Sequence, residues 1–240
     1  YTVYQGIEVT ARQNEIVLPV FLVITTLLLM LIIKEMSVKN LMPVLDSGIL
    51  PVVRGGVVPG YWQGEVFFLL MLYPYLNQKR EALKTAVAMV LFAGCFATLV
   101  VVITIGVFGD LFTSRQVFPV FVLARYISLA DILERLELYI VIVWIAAMLV
   151  KLAVFLHTSC IAAASTLGLR RYQPTIIPIA LALVYISREY YFNYLQLTEH
   201  LSKIVPFYMY PFELLLPALV LLVAVIRKKK GGVQAARGKV

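Results

Sequence analysis

Residues 55–78, GGVVPGYWQGEVFFLLMLYPYLNQ, run for 24 positions with a single charge, Glu65, placed just after a Pro-Gly pair and a further glycine. A bilayer core about 30 Å thick takes roughly 20 apolar residues as helix, and a backbone polar group left unpaired in hydrocarbon costs several kcal/mol. A stretch of this length therefore reads as a membrane helix. Its Pro-Gly interruption reads as a break, which survives only where it lines a protected cavity. An acid at that depth is a candidate functional residue.

Composition places the whole chain in the same class. Of its 240 residues 62% are hydrophobic and 14% charged, against about 45–50% and about 25% in soluble domains. The expectation is an integral membrane protein. Cys95 and Cys160 both fall in apolar segments, and two isolated thiols argue for neither a disulfide framework nor a metal cluster. The chain opens on Tyr1 rather than Met, with no basic segment leading into a short apolar core. No signal peptide is visible, and further sequence upstream is expected.

Charges divide the chain into six apolar segments, at about 16–33, 56–76, 85–109, 136–164, 173–187 and 205–226. The predicted class is an all-α polytopic membrane protein with one transmembrane domain over residues 1–226 and a basic tail at 227–240. Lys151 interrupts the fourth segment and Glu213 the sixth, while Pro174 and Pro178 shorten the fifth. Six spans put both termini on one side. That side carries Arg12, Lys79, Arg80, Lys84, Arg170, Arg171 and the six Lys and Arg residues after Ile226, twelve in all against eight opposite. Basic residues concentrate in cytoplasmic loops, so both termini are predicted to be cytoplasmic. The net charge of +8 is then a topology signal with attraction to an anionic leaflet added. No nucleic-acid-binding motif is present.

Two outer connections are patterned rather than loop-like. Residues 118–137, with Asp131, Glu134, Arg135 and Glu137 among apolar positions, are predicted to lie at the interface before entering the fourth span. Residues 189–203, EYYFNYLQLTEHLSK, are similar, and their tyrosines read as an aromatic belt at the headgroups.

Four stretches taken together are specific: NLMPVLDSGILPVVRGG at 40–56, GE at 64–65 followed by an apolar run ending in LYPYLN at 77, ARYISLADILERLELYIVIVWIAAMLVKLAVFLH at 124–157, and GLRRYQPTIIPI at 168–179. In this combination the chain resembles the B subunit of spore germinant receptors, the GerAB/GerKB family, within the amino acid–polyamine–organocation (APC) transporter superfamily. The resemblance implies a ten-helix, leucine-transporter-like fold of two inverted five-helix repeats, of which this chain supplies helices five to ten. The interrupted stretch then falls on the sixth helix, the discontinuous one of the second repeat.

What the resemblance implies for function is a membrane-embedded receptor subunit of the spore inner membrane. It would bind a small amino acid or similar nutrient in a transporter-like cavity and trigger germination together with the A and C subunits of the receptor complex. The alternative is an amino acid permease of the same superfamily, moving its substrate by alternating access. Nothing in the chain suggests an enzyme or a cofactor: it has no nucleophile–base arrangement, no phosphate-binding glycine loop and no metal-ligand spacing.

The candidate ligand-binding residues begin with Gly60, Tyr61, Trp62, Gln63 and Gly64. An unwound segment here would offer backbone N–H and C=O groups and half-helix dipole ends to a zwitterion, with the aromatics as walls. The competing reading is a structural kink whose aromatics merely pack. Glu65 can bind a substrate ammonium, carry a proton, or pair with a basic residue inside the bundle.

Lys151 lies too deep to snorkel easily. In the superfamily the eighth helix helps to form a sodium site, so the resemblance makes Lys151 a fixed cation in place of the ion; the rival reading is a bridge to Glu65 or Glu213. Ala153 and His157 are four apart and share a helix face. Relatives tend to carry a small hydroxyl residue and an aromatic at these places, facing the ligand cavity, so Ala and His are a departure that bears on which ligand is bound. A histidine near a helix end is also commonly just hydrogen-bonded. Glu213, between Pro211 and Pro217, reads as a structural partner for freed carbonyls.

Overall fold

A computed structural model describes residues 1–126, 136–190 and 193–227, and among these every regular element is helical. The principal helices are α1 (Ile7–Ile32), α2 (Ile49–Gly64), α3 (Ala82–Phe108), α4 (Pro119–Tyr126), α5 (Leu136–Thr166), α6 (Gln173–Tyr190), α7 (Tyr194–Lys203), α8 (Val205–Tyr210) and α9 (Leu216–Ile226). An all-helical answer is what hydrocarbon demands, because a helix satisfies its backbone donors and acceptors internally.

Among the described residues, four helical stretches are long and apolar enough to cross a membrane: Ile7–Glu35, Lys79–Phe108, Glu137–Thr166 and Val205–Ile226. They coincide, to within one residue where they fall short, with the segments expected at 16–33, 85–109, 136–164 and 205–226. The segments expected at 56–76 and 173–187 are helical but are not among the four. One is assembled from short pieces, and the other, α6, starts with Pro174 in its first turn and carries Pro178 inside. Of the segment 118–137 expected at the interface, Pro119–Tyr126 forms α4 and residues 136 and 137 open α5, while positions 127–135, with Asp131, Glu134 and Arg135, lie outside the described residues, as do positions 191–192 and 228–240.

The chain forms two compact units. The first comprises Tyr1–Asp46 and Met71–Tyr190, and the second Ser47–Leu70 and Tyr191–Val240. In the first, α1 packs along α5, and α5 along α6. Its core joins Leu28, Leu29 and Ile32 of α1 to Ile103 of α3, Leu123 and Ala124 of α4 and Ile140 of α5. Leu28 and Ile32 are one helical turn apart, so one face of α1 supplies both.

The end of α3 is held by the loop after α1. Asn40 Nδ2 donates to the carbonyls of Gly106 at 2.8 Å and Val107 at 3.3 Å, and the Ser37 N–H donates to Gly106 O at 2.9 Å. These bonds satisfy carbonyls that the last turn of a helix leaves open. Gly106 permits the approach, since a Cβ there would sit on the Met36 side chain. At the end of α5, Gly168 takes φ +67° and Leu169 N–H returns to Ala164 O at 2.9 Å. This is the six-to-one closure that glycine favours at a helix C-terminus.

In the second unit α2 packs against α8 and against the turn that follows it. Residues Pro211–Leu215 form a π turn, in which Leu216 N–H reaches back to Pro211 O. Proline supplies the reason. Pro217 has no N–H to give the Glu213 carbonyl in an α pattern, and the wider turn accommodates the mismatch.

Candidate functional site

The segment expected to be unwound is not. Residues 60–64 complete α2, and the change of helical type comes at Glu65, where Glu65–Phe68 tightens into a 3₁₀ turn. The backbone of Gly64 has ordinary right-handed values, φ −62° and ψ −19°. Pro59 withdraws one N–H from the helical ladder, and the flanking glycines adopt helical geometry instead of breaking it. The expectation of bare main-chain atoms at 60–64 is therefore corrected.

What the two glycines do instead is admit a partner. Gly60 and Gly64 are one turn apart on α2, and they face Tyr210 and Glu213. A Cβ on Gly60 would overlap the Tyr210 hydroxyl, and one on Gly64 would overlap the Glu213 carboxyl. Small residues four apart are the usual way in which membrane helices approach closely. The contact is pinned by two phenols. Tyr210 Oη donates to Val57 O at 2.8 Å, and Tyr61 Oη donates to Leu201 O at 3.2 Å in the last turn of α7.

Tyr61 is buried, and its ring meets Trp62 edge-on at 6.1 Å, while Trp62 itself is exposed. Gln63 and Glu65 are half-buried. Glu213 is 9% exposed, and its Oε2 has no hydrogen-bond partner among the described residues. Two carboxyls, Glu65 and Glu213, thus belong to this unit and interact electrostatically. A buried polar atom without a partner is rare in folded proteins and points to a water, an ion or a ligand group.

Ala153, His157 and Lys151 belong to α5 in the first unit. Ala153 and His157 share its buried face, with His157 only 2% exposed. Lys151 is exposed. At about 100° per residue it projects about 200° away from Ala153, so it does not join the other two. Its Nζ lies 5.5 Å from the Phe155 ring centroid, at the edge of an apolar groove of about 580 Å³ lined by Phe118, Phe121, Trp144, Ile145 and Met148.

His157 sits in a polar knot. Its ring packs edge-on against Tyr172 at 4.8 Å, and Tyr172 Oη donates to Val3 O at 3.0 Å. His157 Nδ1 is buried without a partner among the described residues. Thr10 Oγ1 and Gln173 Oε1 are likewise buried without partners in the same unit. Among the described residues no group of His, Cys, Asp or Glu side chains could hold a metal ion.

Tyr210 was not legible as a site residue from its own surroundings. The signal for it was the G-x-x-x-G spacing at 60–64, which announces a close helix contact whatever the glycines do to the backbone.

A family model described as spore germination protein matches residues 1–194. Over 238 residues the chain is 28% identical to spore germination protein KB of Bacillus subtilis (strain 168), covering 96% of this chain and 63% of that protein. It is 27% identical over 149 residues to putative spore germination protein YfkT of the same organism, covering 62% of this chain and 40% of that one. It is 22% identical over 155 residues to spore germination protein XB of Bacillus anthracis, at 64% and 43% coverage. The chain therefore spans less than two thirds of the length of these relatives. No solved structure matches it significantly.

Proposed function

Because the chain belongs to the spore germination protein family, we propose that it is the membrane-embedded part of a germinant receptor that binds a small amino acid or similar nutrient and triggers germination. The observation that carries this reading is the family match across residues 1–194, joined to an alignment with spore germination protein KB over 96% of the chain. Four long apolar helices agree with a receptor that lies within the bilayer.

In this reading the chain supplies helices five to ten of a leucine-transporter-like ten-helix fold, crossing the spore inner membrane six times with both termini cytoplasmic. A and C subunits of the receptor complex would take the signal onward. The candidate ligand contacts are the Gly60–Glu65 segment in the second unit and, separately, Ala153 and His157 in the first, with Lys151 a candidate fixed charge on another face of α5. Support comes from the close-packed Gly60 and Gly64 contacts beside a buried Glu213 oxygen, and from the buried His157 Nδ1, neither of which has a partner among the described residues. Such atoms are what a polar guest can satisfy.

Binding of a panel of radiolabelled amino acids to the complete protein, with its upstream helices, tests the reading. Saturable binding without uptake into vesicles is the expected result. Uptake that follows binding would make the protein a permease, and no binding by any member of the panel would end the nutrient-receptor reading.

A further inference from the structure

A groove of about 710 Å³ opens in the second unit between α2, α7 and α8. Its charged and polar wall is Arg54, Ser202 and Lys203, and its apolar wall includes Pro206, Phe207 and Pro211. Two observations say what it is built for. The first is depth. Lys203 ends α7, and Val205 opens the last of the membrane-length apolar helices, so the cations stand at the boundary where headgroups lie.

The second observation is the combination of charge with exposed apolar surface. Arg54 makes no ion pair among the described residues, and its planar fork matches a phosphate better than a point charge does. Lys203 shares its ammonium with Glu199 at 2.6 Å, which leaves the groove with a net positive charge. The Tyr210 hydroxyl, also on the wall, is already given to Val57 O. Phe207 is 83% exposed beside these cations, an apolar surface that a free anion has no use for and a glycerol backbone or acyl chain covers.

We propose that this groove seats the phosphate headgroup of an anionic membrane phospholipid, held by Arg54, Lys203 and Ser202 with its apolar part on Phe207. The groove shares Tyr210 with the Gly60 contact, but its cations, Arg54 and Lys203, are not among the proposed nutrient contacts, and the proposal stands on unit-two geometry alone.

The test uses the full chain in nanodiscs of phosphatidylcholine with a minority of phosphatidylglycerol. After transfer to detergent, the lipid retained by the protein is counted by native mass spectrometry. The parent is expected to keep phosphatidylglycerol in preference. Each of R54Q and K203Q should lower that preference about fivefold, the effect of one basic residue at an anionic surface. K84Q, a cation of the other unit, should leave it unchanged, and R54K should fall between parent and R54Q because it keeps the charge and loses the fork. Circular dichroism confirms that each variant is folded. No preference in the parent, or an equal loss in K84Q, overturns the proposal. A parallel arm adds inorganic phosphate to the detergent sample: displacement of the retained lipid at millimolar phosphate would make the occupant a free anion and overturn the lipid assignment.

Discussion

Gly64 lies flush against Glu213: the place where any other residue would carry its Cβ is occupied by the Glu213 carboxyl. One turn earlier Gly60 meets the Tyr210 hydroxyl in the same way. Two absent side chains on α2 thus accept two polar ones, from the end of α8 and from the π turn that follows it, and a Pro-Gly sequence that looks like a helix breaker is used as a helix seat.

Replacing Gly64 by Ala should lower the unfolding free energy in detergent by about 1–3 kcal/mol, the usual penalty for forcing a methyl into filled space. Removing the obstacle should return part of it. In a double-mutant cycle G64A and E213A are expected to be less destabilising together than the sum of each alone. Strict additivity would mean that the two residues do not meet.

Tyr210→Phe removes the bond to Val57 O and should cost about 1 kcal/mol on its own. The same change should partly rescue Gly60→Ala, because the atom that the new Cβ would overlap is the deleted hydroxyl. Thermal unfolding of the two single variants and the double variant reads both effects. A double variant no more stable than G60A would sink the assignment.

Asn40→Ala withdraws the amide that serves two carbonyls at the end of α3. The expected loss is about 1–2 kcal/mol, and it should be seen as faster amide hydrogen exchange in the last turn of α3. Unchanged exchange there would show that the cap is dispensable.

Glu199 and Lys203 make an exposed pair on α7, and the Lys203 ammonium holds the Glu199 carboxyl below the usual glutamate value. Because the folded carboxyl titrates lower than the unfolded one, its stabilising contribution is present above the unfolded pKa. It is lost as pH falls through the folded pKa. An NMR titration of the Glu199 carboxyl carbon should give a midpoint below that of an ordinary glutamate, returning to ordinary in K203Q. Identical midpoints in parent and K203Q would show that the pair does not form.

Residue type carried some of this a long way. The apolar runs at 16–33, 85–109 and 205–226 led to membrane helices because a bilayer leaves a long uncharged stretch few alternatives. The close family resemblance lay in motifs such as NLMPVLDSGILPVVRGG, which are local and readable in one dimension. The fate of PGYWQG was not. Proline and glycine state only what the backbone can do, and a helix that keeps its shape at Gly60 and Gly64 does so because Tyr210 and Glu213, about 150 positions later, fill the space that opens.

The chain's letters alone determined its solvent, its helical class and its family, since each follows from hydrophobic length, charge placement or contiguous motif. Only the tertiary structure decided what the individual polar residues face. His157 turns inward to Tyr172 while Lys151, six positions before it, turns outward. Glu213 Oε2 is buried with no partner among the described residues, and Arg54 and Lys203 line one groove. The physical reason is that a helical period assigns faces only relative to one another; which face meets which neighbour is set by contacts between residues far apart in the chain.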